Sequence, residues 1–239
     1  MTPVIVVDCS DYQRNVDFHK MAAAGASGVI IQMAQGTVLQ QFGKLNRDNS
    51  KGVIPHAFYQ FFYPQYSPVQ QASAFVSACG GDYGFGLWID VELPESVWSQ
   101  AWIDQLHLML TEVERLSGVR PGIYTRASYT DAYLASAAFL GDYPLWTANY
   151  PNAWTPGMPP SPIIPKAWAG KRWTLWQYTS EGDAVKYGCE GVGLDMSIFN
   201  GDELAWAAYI GAPHVQHIRV TGSDGATQVF VSPIRTEEI

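Results

Sequence analysis

Short apolar runs alternate with amphipathic segments through the first half of the chain. The runs have the length of buried strands and occupy residues 4–7, 29–31, 54–62, 87–91 and 122–124. The segments that follow them have helical spacing and occupy residues 16–24, 40–51, 68–79, 98–116 and 127–140. Because each strand is followed by a helix, the pattern predicts five parallel strands joined by right-handed crossovers.

Two of these helices carry clear boundary residues. Ser67 precedes Pro68 and is a candidate N-cap for the helix over 68–79, where Pro68 suits the first turn. In the helix over 98–116, apolar residues recur from Trp98 to Leu116, and Gly118 follows as a stop signal.

The second half of the chain changes character. Strands are predicted over residues 145–148, 173–178 and 193–199, and a last helix over 202–209. The stretch between Pro151 and Lys171 is rich in proline and tryptophan and cannot hold a long helix, and no helix fits between the last two strands. Eight strands with helices only after the first five predict an α/β fold, a closed barrel with its site at the carboxyl ends of the strands.

Residues 211–239 form a separate region in the sequence. Alternating runs at 217–220 and 228–231 flank Thr221-Gly222-Ser223-Asp224-Gly225, which predicts a β-hairpin. We therefore expect a catalytic barrel over 1–210 and a hairpin extension over 211–239. An isolated hairpin is marginally stable, so it packs on the barrel, pairs with another subunit or begins a further module.

Composition narrows the choice of partners. The net charge is −8 without a basic stripe, which argues against nucleic acid. No apolar run reaches the roughly 18–20 residues that span a bilayer, and no signal peptide is visible before Val4. Cys9, Cys79 and Cys189 lack zinc-site spacing, and buried free thiols are favoured over a bridge. We predict neither a metal nor a cofactor.

Asp90-Val91-Glu92 is the most informative chemical feature. Residues i and i+2 of a strand share one face, so the two acids lie about 6–7 Å apart at the backbone. Like charges this close raise one another's pKa, so one acid can stay protonated while the other is ionised. This arrangement suits acid catalysis on a glycosidic bond, although a solvated strand end would carry the same residues.

Other polar and aromatic residues also fall at predicted strand ends. They are Asp8, Gln35, Tyr59, Tyr124, Asn149, Gln177, Tyr178 and Asp195. Closure of the barrel makes its first and last strands neighbours, so Asp8 and Asp195 are expected to approach each other. Four carboxylates at one mouth favour catalysis over a purely structural role.

Six segments in order resemble glycoside hydrolase family 25, the Chalaropsis-type lysozymes of phage endolysins and bacterial autolysins. They are Val7-Asp8-Cys9-Ser10-Asp11-Tyr12-Gln13, Leu87-Trp88-Ile89-Asp90-Val91-Glu92, Arg120-Pro121-Gly122-Ile123-Tyr124-Thr125, Leu145-Trp146-Thr147-Ala148-Asn149-Tyr150, Trp173-Thr174-Leu175-Trp176-Gln177-Tyr178-Thr179 and Leu194-Asp195-Met196-Ser197-Ile198-Phe199-Asn200-Gly201. The resemblance covers about residues 4–206 and implies a modified TIM-like barrel of five β/α units followed by three β units.

The resemblance also implies an activity and a set of roles. The bond cut would be the β-1,4 bond between N-acetylmuramic acid and N-acetylglucosamine in peptidoglycan. Glu92 would be general acid and then base, Asp90 would assist the substrate's acetamido group, and Asp8 and Asp195 would line the pocket. The expected substrate contacts are Gln35, Tyr59, Tyr124, Trp146, Asn149, Gln177 and Tyr178.

The chain also departs from the family pattern, and two alternatives remain open. Gln32 and Gln35 stand where lysine and glutamate are common, Tyr12 replaces a tryptophan, and Ser197 replaces asparagine or aspartate. A chitinase-like enzyme on the same barrel would carry a longer acidic run than the one before Glu92. An inactive wall-binding barrel is the second alternative.

The resemblance finally implies a partner and a place of action. The partner would be the glycan strands of peptidoglycan, bound by a monomer or by a weak oligomer formed through the hairpin. The place of action would be the bacterial cell wall, reached either as a phage endolysin released from the host cytoplasm or as a secreted enzyme with its signal trimmed.

Overall fold

The computed structural model describes residues 3–93, 98–191, 193–211, 215–221 and 227–233. The strands are β1 (Ile5–Cys9), β2 (Gly28–Gln35), β3 (Val38–Leu39), β4 (His56–Phe61), β5 (Leu87–Asp90), β6 (Gly122–Thr125), β7 (Leu145–Ala148), β8 (Leu175–Gly182), β9 (Leu194–Phe199), β10 (Val215–Thr221) and β11 (Thr227–Pro233). The helices are α1 (Phe18–Ala23), α2 (Gly43–Ser50), α3 (Pro68–Cys79), α4 (Gln100–Ser117), α5 (Ala127–Tyr133) and α6 (Glu203–Gly211).

Eight of these strands close into a barrel. Their order around the ring is β1, β9, β8, β7, β6, β5, β4 and β2, and a parallel pairing of β1 with β2 completes it. The short strand β3 pairs with β2 outside the ring. Helices α1 to α5 follow the first five barrel strands, whereas β7, β8 and β9 are joined without α-helices. The prediction of five β/α units followed by three β units is therefore confirmed.

Strand β9 runs against both of its neighbours. It pairs antiparallel with β1 and with β8, while the other barrel pairings are parallel. The expectation that Asp195 ends a strand was wrong, because Asp195 is the second residue of β9. It still reaches the common mouth, since an antiparallel strand begins where its neighbours end. The sequence indicates this antiparallel direction by the absence of a predicted helix before β9, because two parallel neighbouring strands need a long crossover between them.

The helix boundaries follow from local chemistry. Ser67 caps α3 as predicted, with its side chain accepting a hydrogen bond from the Gln70 backbone. Ser99 caps α4 in the same way, and Gly118 ends it in the left-handed conformation. The predicted helix over 127–140 is instead two pieces, α5 and a 3₁₀ turn over Ala138–Asp142, because Leu134 leaves the helical conformation.

The barrel interior is packed with aromatic rings. Trp88 and Trp146 are each 1% exposed, and their ring centroids lie 5.8 Å apart. Gly122 on the neighbouring strand makes room for Trp88, because a Cβ atom there would lie 2.2 Å from that ring. Outside the strands, a second apolar layer holds the helices against the barrel.

Helix α6 closes the amino-terminal end of the barrel, which we call the base. Trp206 is 6% exposed, and its ring lies 5.1 Å from both Phe85 and Phe199. Gly28 begins β2 directly beside this ring, since a Cβ there would lie 2.8 Å from it. The base is therefore sealed by apolar packing.

The predicted hairpin is present as β10 and β11, which pair antiparallel from Val215↔Pro233 to Thr221↔Thr227 in a sheet of their own. The predicted turn residues 222–225 lie outside the described residues. The division into a barrel and an extension stays a prediction. No described helix combines the length and apolar character needed to cross a membrane.

All three cysteines are buried free thiols, as predicted.

Candidate active site

The end of β5 directs both acids of the Asp90-Val91-Glu92 segment towards the barrel mouth. Ile89 and Val91 pack in the outer apolar layer, whereas Trp88 belongs to the interior. Because strand residues alternate between faces, Asp90 and Glu92 take the inward side with Trp88. Asp90 is 5% exposed, and Glu92 is half-buried just beyond the strand.

Asp8 and Asp195 meet across the β1–β9 pairing, where they are directly opposite in register. They share a side-chain hydrogen bond, so one of them carries a proton. Burial and the Asp195 charge raise the pKa of Asp8 well above its ordinary value. Burial also raises the pKa of Asp195, to about 6, against a lowering by the hydrogen bond to Asp8.

Asp90 lies in the field of the same acids. Burial raises its pKa well above the ordinary value, and the charges of Glu92, Asp8 and Asp195 raise it further. Its Oδ1 atom is buried and has no hydrogen-bond partner among the described residues. A buried, unpaired carboxylate oxygen is unfavourable, so this atom is available for a donor that a ligand brings.

Opposing influences act on the pKa of Glu92. Burial raises its pKa, the positive charge of Arg126 lowers it, and the charge of Asp195 raises it. The net shift is upward, which favours a protonated carboxyl group at a pH where an exposed glutamate is ionised. A carboxyl group of this kind can act as a general acid.

Gln177 links these acids to the aromatic residues. It is 2% exposed, and its amide donates a hydrogen bond of 3.0 Å to Oδ2 of Asp8. Its Oε1 atom accepts hydrogen bonds from the hydroxyl groups of Tyr124 and Tyr150. Gln177 therefore fixes the orientation of Asp8 and leaves the other Asp8 oxygen for Asp195.

The predicted aromatic contacts Tyr59 and Trp146 form a floor beneath the acids. Trp146 donates from its indole nitrogen to the Ser197 hydroxyl at 3.0 Å and packs 4.6 Å from Tyr124. At 1% exposure Trp146 has no surface left for a sugar, so its position suits support of the floor. Burial raises the pKa of Tyr59 well above its ordinary value, and the charges of Asp8 and Asp90 add to this.

A cleft of about 470 Å³ opens beside Glu92. Glu92 and Tyr124 line it together with Asn149, and Tyr150 forms an exposed wall. The Asn149 side chain accepts a hydrogen bond of 2.9 Å from the Ile163 backbone, which anchors the loop that borders the cleft. The cleft can hold a group of sugar size.

Two predicted residues are not brought to the acids. Gln35 is exposed at the rim and donates to the Tyr63 hydroxyl at 2.6 Å. A β-bulge between Gln32 and Ala34 shifts the register there, and the inward position facing Tyr59 belongs to Gln32. Tyr178 follows Gln177 and therefore points to the opposite face, where it packs 4.8 Å from Trp154 in the outer layer.

Among the cleft residues that sequence reasoning missed are one aromatic and one charged residue, Tyr150 and Arg126. Tyr150 follows Asn149 and was visible in the quoted segment, but nothing separated it from a loop tyrosine. Arg126 directly follows β6, the position where functional residues of parallel barrels lie, and this placement could have identified it. Among the described residues, no cluster of His, Cys, Asp and Glu could hold a metal ion.

Comparison with known proteins places this geometry in a family. Residues 7–186 match the profile of glycosyl hydrolases family 25. A "Probable GH family 25 lysozyme 3" from Dictyostelium discoideum is 31% identical over 87 residues, a segment that spans 36% of this chain and 18% of that protein.

Solved structures share the architecture. A muramidase from Acremonium alcalophilum is similar with a TM-score of 0.69 and 20% identity, covering 87% of this chain and 98% of that one. A lysozyme from Streptomyces coelicolor gives a TM-score of 0.71 and 21% identity, covering 88% and 98%. These likenesses show a common fold, and the profile match over most of the chain shows that it belongs to glycosyl hydrolases family 25.

Proposed function

We propose that this protein is a lysozyme that hydrolyses the β-1,4 bond between N-acetylmuramic acid and N-acetylglucosamine in bacterial peptidoglycan. The observation that carries the proposal is the pair formed by Glu92, whose pKa is raised, and Asp90, whose buried Oδ1 atom lacks a partner. Family membership and the lysozyme and muramidase names of similar proteins support it.

Glu92 donates its proton to the glycosidic oxygen as the bond to the anomeric carbon breaks. The leaving sugar departs as a neutral alcohol, and positive charge develops at the anomeric carbon. The sugar that carries this anomeric carbon also carries an acetamido group, and the oxygen of that group then bonds to the carbon. This is the substrate-assisted alternative to attack by a protein carboxylate. Water later attacks that carbon, the bond to the acetamido oxygen breaks, and a proton of the water passes to the Glu92 carboxylate, so the enzyme is regenerated.

Asp90 has a defined part in these steps. Its free Oδ1 atom can accept a hydrogen bond from the acetamido N–H, which holds that group for attack. A cationic centre beside Asp90 favours the ionised carboxylate, although burial and the neighbouring acids favour the protonated form before that charge develops. Asp90 therefore stabilises the cationic intermediate more than the neutral substrate, as catalysis requires.

The remaining residues of the site hold this pair in place. The raised pKa values of Asp8 and Asp195 limit the negative charge beneath the cleft, and Gln177 orients Asp8. Tyr124, Tyr150 and Asn149 border the space where the sugar would lie. The place of action would be the bacterial cell wall.

Mass spectrometry of fragments released from defined peptidoglycan tests the proposal. We expect muramic acid at the new reducing end. Glucosamine at that end would mean that the opposite bond is cut, and a cut peptide stem would mean amidase or peptidase action. Release from chitin but not from peptidoglycan would favour the chitinase-like alternative, and no release from either would favour an inactive wall-binding barrel.

A further inference from the structure

The cleft beside Glu92 is bordered by one basic side chain, Arg126. Among the described residues that line this cleft, no other lysine or arginine occurs. Arg126 is exposed and stands between β6 and α5. In the described part of the chain no carboxylate lies within 4.0 Å of its guanidinium group, although arginines 14, 47, 115 and 120 all have one.

Arg126 works against the acid chemistry of its neighbour. Its charge lowers the pKa of Glu92, whereas burial and Asp195 raise it. A general acid keeps its proton better without a cation beside it, so assisting Glu92 does not explain an arginine at this position. The charge is available for a ligand.

The charge distribution limits what that ligand can be. The chain carries a net charge of −8. An anionic group is repelled over most of this surface and is attracted next to Arg126. The planar guanidinium group binds a carboxylate through two parallel hydrogen bonds, which adds geometric selectivity.

We propose that Arg126 binds a carboxylate carried on the lactyl arm of muramic acid and so selects muramic-acid-containing glycans. The inference rests on the proposed function and extends it to the substrate class. The N-acetylated sugar backbone of peptidoglycan is neutral, so its negative charges lie on this arm. In a stem-free strand the group is the lactyl carboxylate itself, and in a stem-bearing strand it is a carboxylate of the peptide.

The test uses peptidoglycan fragments in four forms. Two carry stem peptides and two are stem-free, and one of each pair has its carboxylates converted to neutral amides. The quantity measured is the ratio of kcat/KM on the free-carboxylate form to kcat/KM on the amidated form. An effect of Arg126 on the pKa of Glu92 is common to both forms and cancels in this ratio.

We expect the wild-type protein to prefer free carboxylates about tenfold, which is the size of one charge-assisted contact. Arg126→Gln should reduce the ratio to near one, and Arg126→Lys should retain part of it because lysine keeps the charge but loses the paired hydrogen bonds. Arg115→Gln is the matched control, since Arg115 is exposed on α4 and pairs with Glu112. It should behave as wild type.

The form that shows the preference identifies the source of the carboxylate. A preference in stem-free substrates points to the lactyl group, and one confined to stem-bearing substrates points to the peptide. A wild-type ratio near one in both pairs, or an unchanged preference in Arg126→Gln, would overturn the inference. Cleavage of the stem-bearing substrate by the wild type tests the proposed function separately, because it does not depend on the ratio.

Discussion

Both ends of the barrel bury large side chains, but the chemistry of these side chains is opposite at the two ends. At the base, Trp206 packs against Phe85 and Phe199, and burial of apolar surface stabilises the fold. At the mouth, Asp8 and Asp90 are each 5% exposed, and burial raises the pKa of both. Burial at the base therefore contributes stability. Burial at the mouth destabilises the charged forms of the acids, and the resulting pKa shifts suit acid–base catalysis.

The largest expected effect belongs to the mouth and concerns activity. Glu92→Gln removes the proton that the leaving oxygen needs, so turnover of peptidoglycan should fall by about 10²–10⁴-fold. Binding of the substrate and the thermal midpoint should persist, because glutamine has nearly the same shape. Release of reducing ends measures the loss. Glu190→Gln, at an exposed glutamate outside the cleft, is the control, and equal turnover in the two variants would remove Glu92 from the mechanism.

At the base the largest expected effect concerns stability. Trp206→Ala should lower the free energy of unfolding by about 3–5 kcal/mol, because it leaves a cavity under the barrel. For a chain of this size that is about 6–20 °C in the thermal midpoint. The protein that stays folded should keep its kcat, since Trp206 touches none of the acids. A Trp206→Ala variant that lost kcat but kept its stability would contradict the conclusion that the base serves stability and the mouth serves catalysis.

Gln177 connects the acids of the mouth to the aromatic residues around them. Its substitution should have an effect on stability of intermediate size. Gln177→Leu leaves Asp8 without its donor and Tyr124 without its acceptor, so we expect a loss of about 1–3 kcal/mol in the free energy of unfolding. The pKa of Asp8 should rise further, because the Gln177 hydrogen bond lowers it. Chemical denaturation and the acid limb of the rate profile check the two effects. A variant with unchanged stability would show that the network is not needed for folding.

The smallest predicted effect is a gain in stability that depends on pH. The folded pKa of Asp195 is about 6, above its ordinary value of 3.8, so the folded state binds more protons between these values. The contribution of Asp195 to the free energy of unfolding is therefore fully present below about pH 4 and is lost as the pH rises through 6.

The substitution Asp195→Asn removes this pH-dependent loss of stability, because asparagine does not ionise. We expect it to raise the free energy of unfolding by about 1 kcal/mol above pH 6, or about 2–4 °C, because solvent around the partly buried Asp195 screens most of the roughly 3 kcal/mol of the full linkage, and to change it little near pH 4. Thermal scans across this range give the comparison. A stabilisation that is the same at both ends of the range would contradict the raised pKa.

Most strands and helices of the barrel could be predicted from the sequence, because period and length specify buried strands and helices well. The helix α3 and its Ser67 cap were predicted to the residue, since their signals are local. The break after Tyr133 and the short strand β3 could not be, because tertiary packing decides them.

At the mouth, residue types were predictable but their directions were less so. The alternation of a strand specifies that Asp90 and Glu92 share a face, and the same rule separates Gln177 from Tyr178, an application that the prediction did not make. The bulge that moves Gln35 to the rim depends on strand pairing and has no local signal. The position of Arg126 as the one basic residue among the described residues that line the cleft is visible only in the folded structure.

Burial and the charge of Asp195 favour the protonated form of Glu92, on which the proposed acid catalysis depends. Difference infrared spectroscopy of the wild type against Glu92→Gln, recorded across pH, observes this carboxyl group directly. We predict a protonated carboxyl signal that persists above the ordinary pKa of 4.5. A signal that disappears at or below 4.5 would contradict the account, because Glu92 would then be ionised where the enzyme needs an acid.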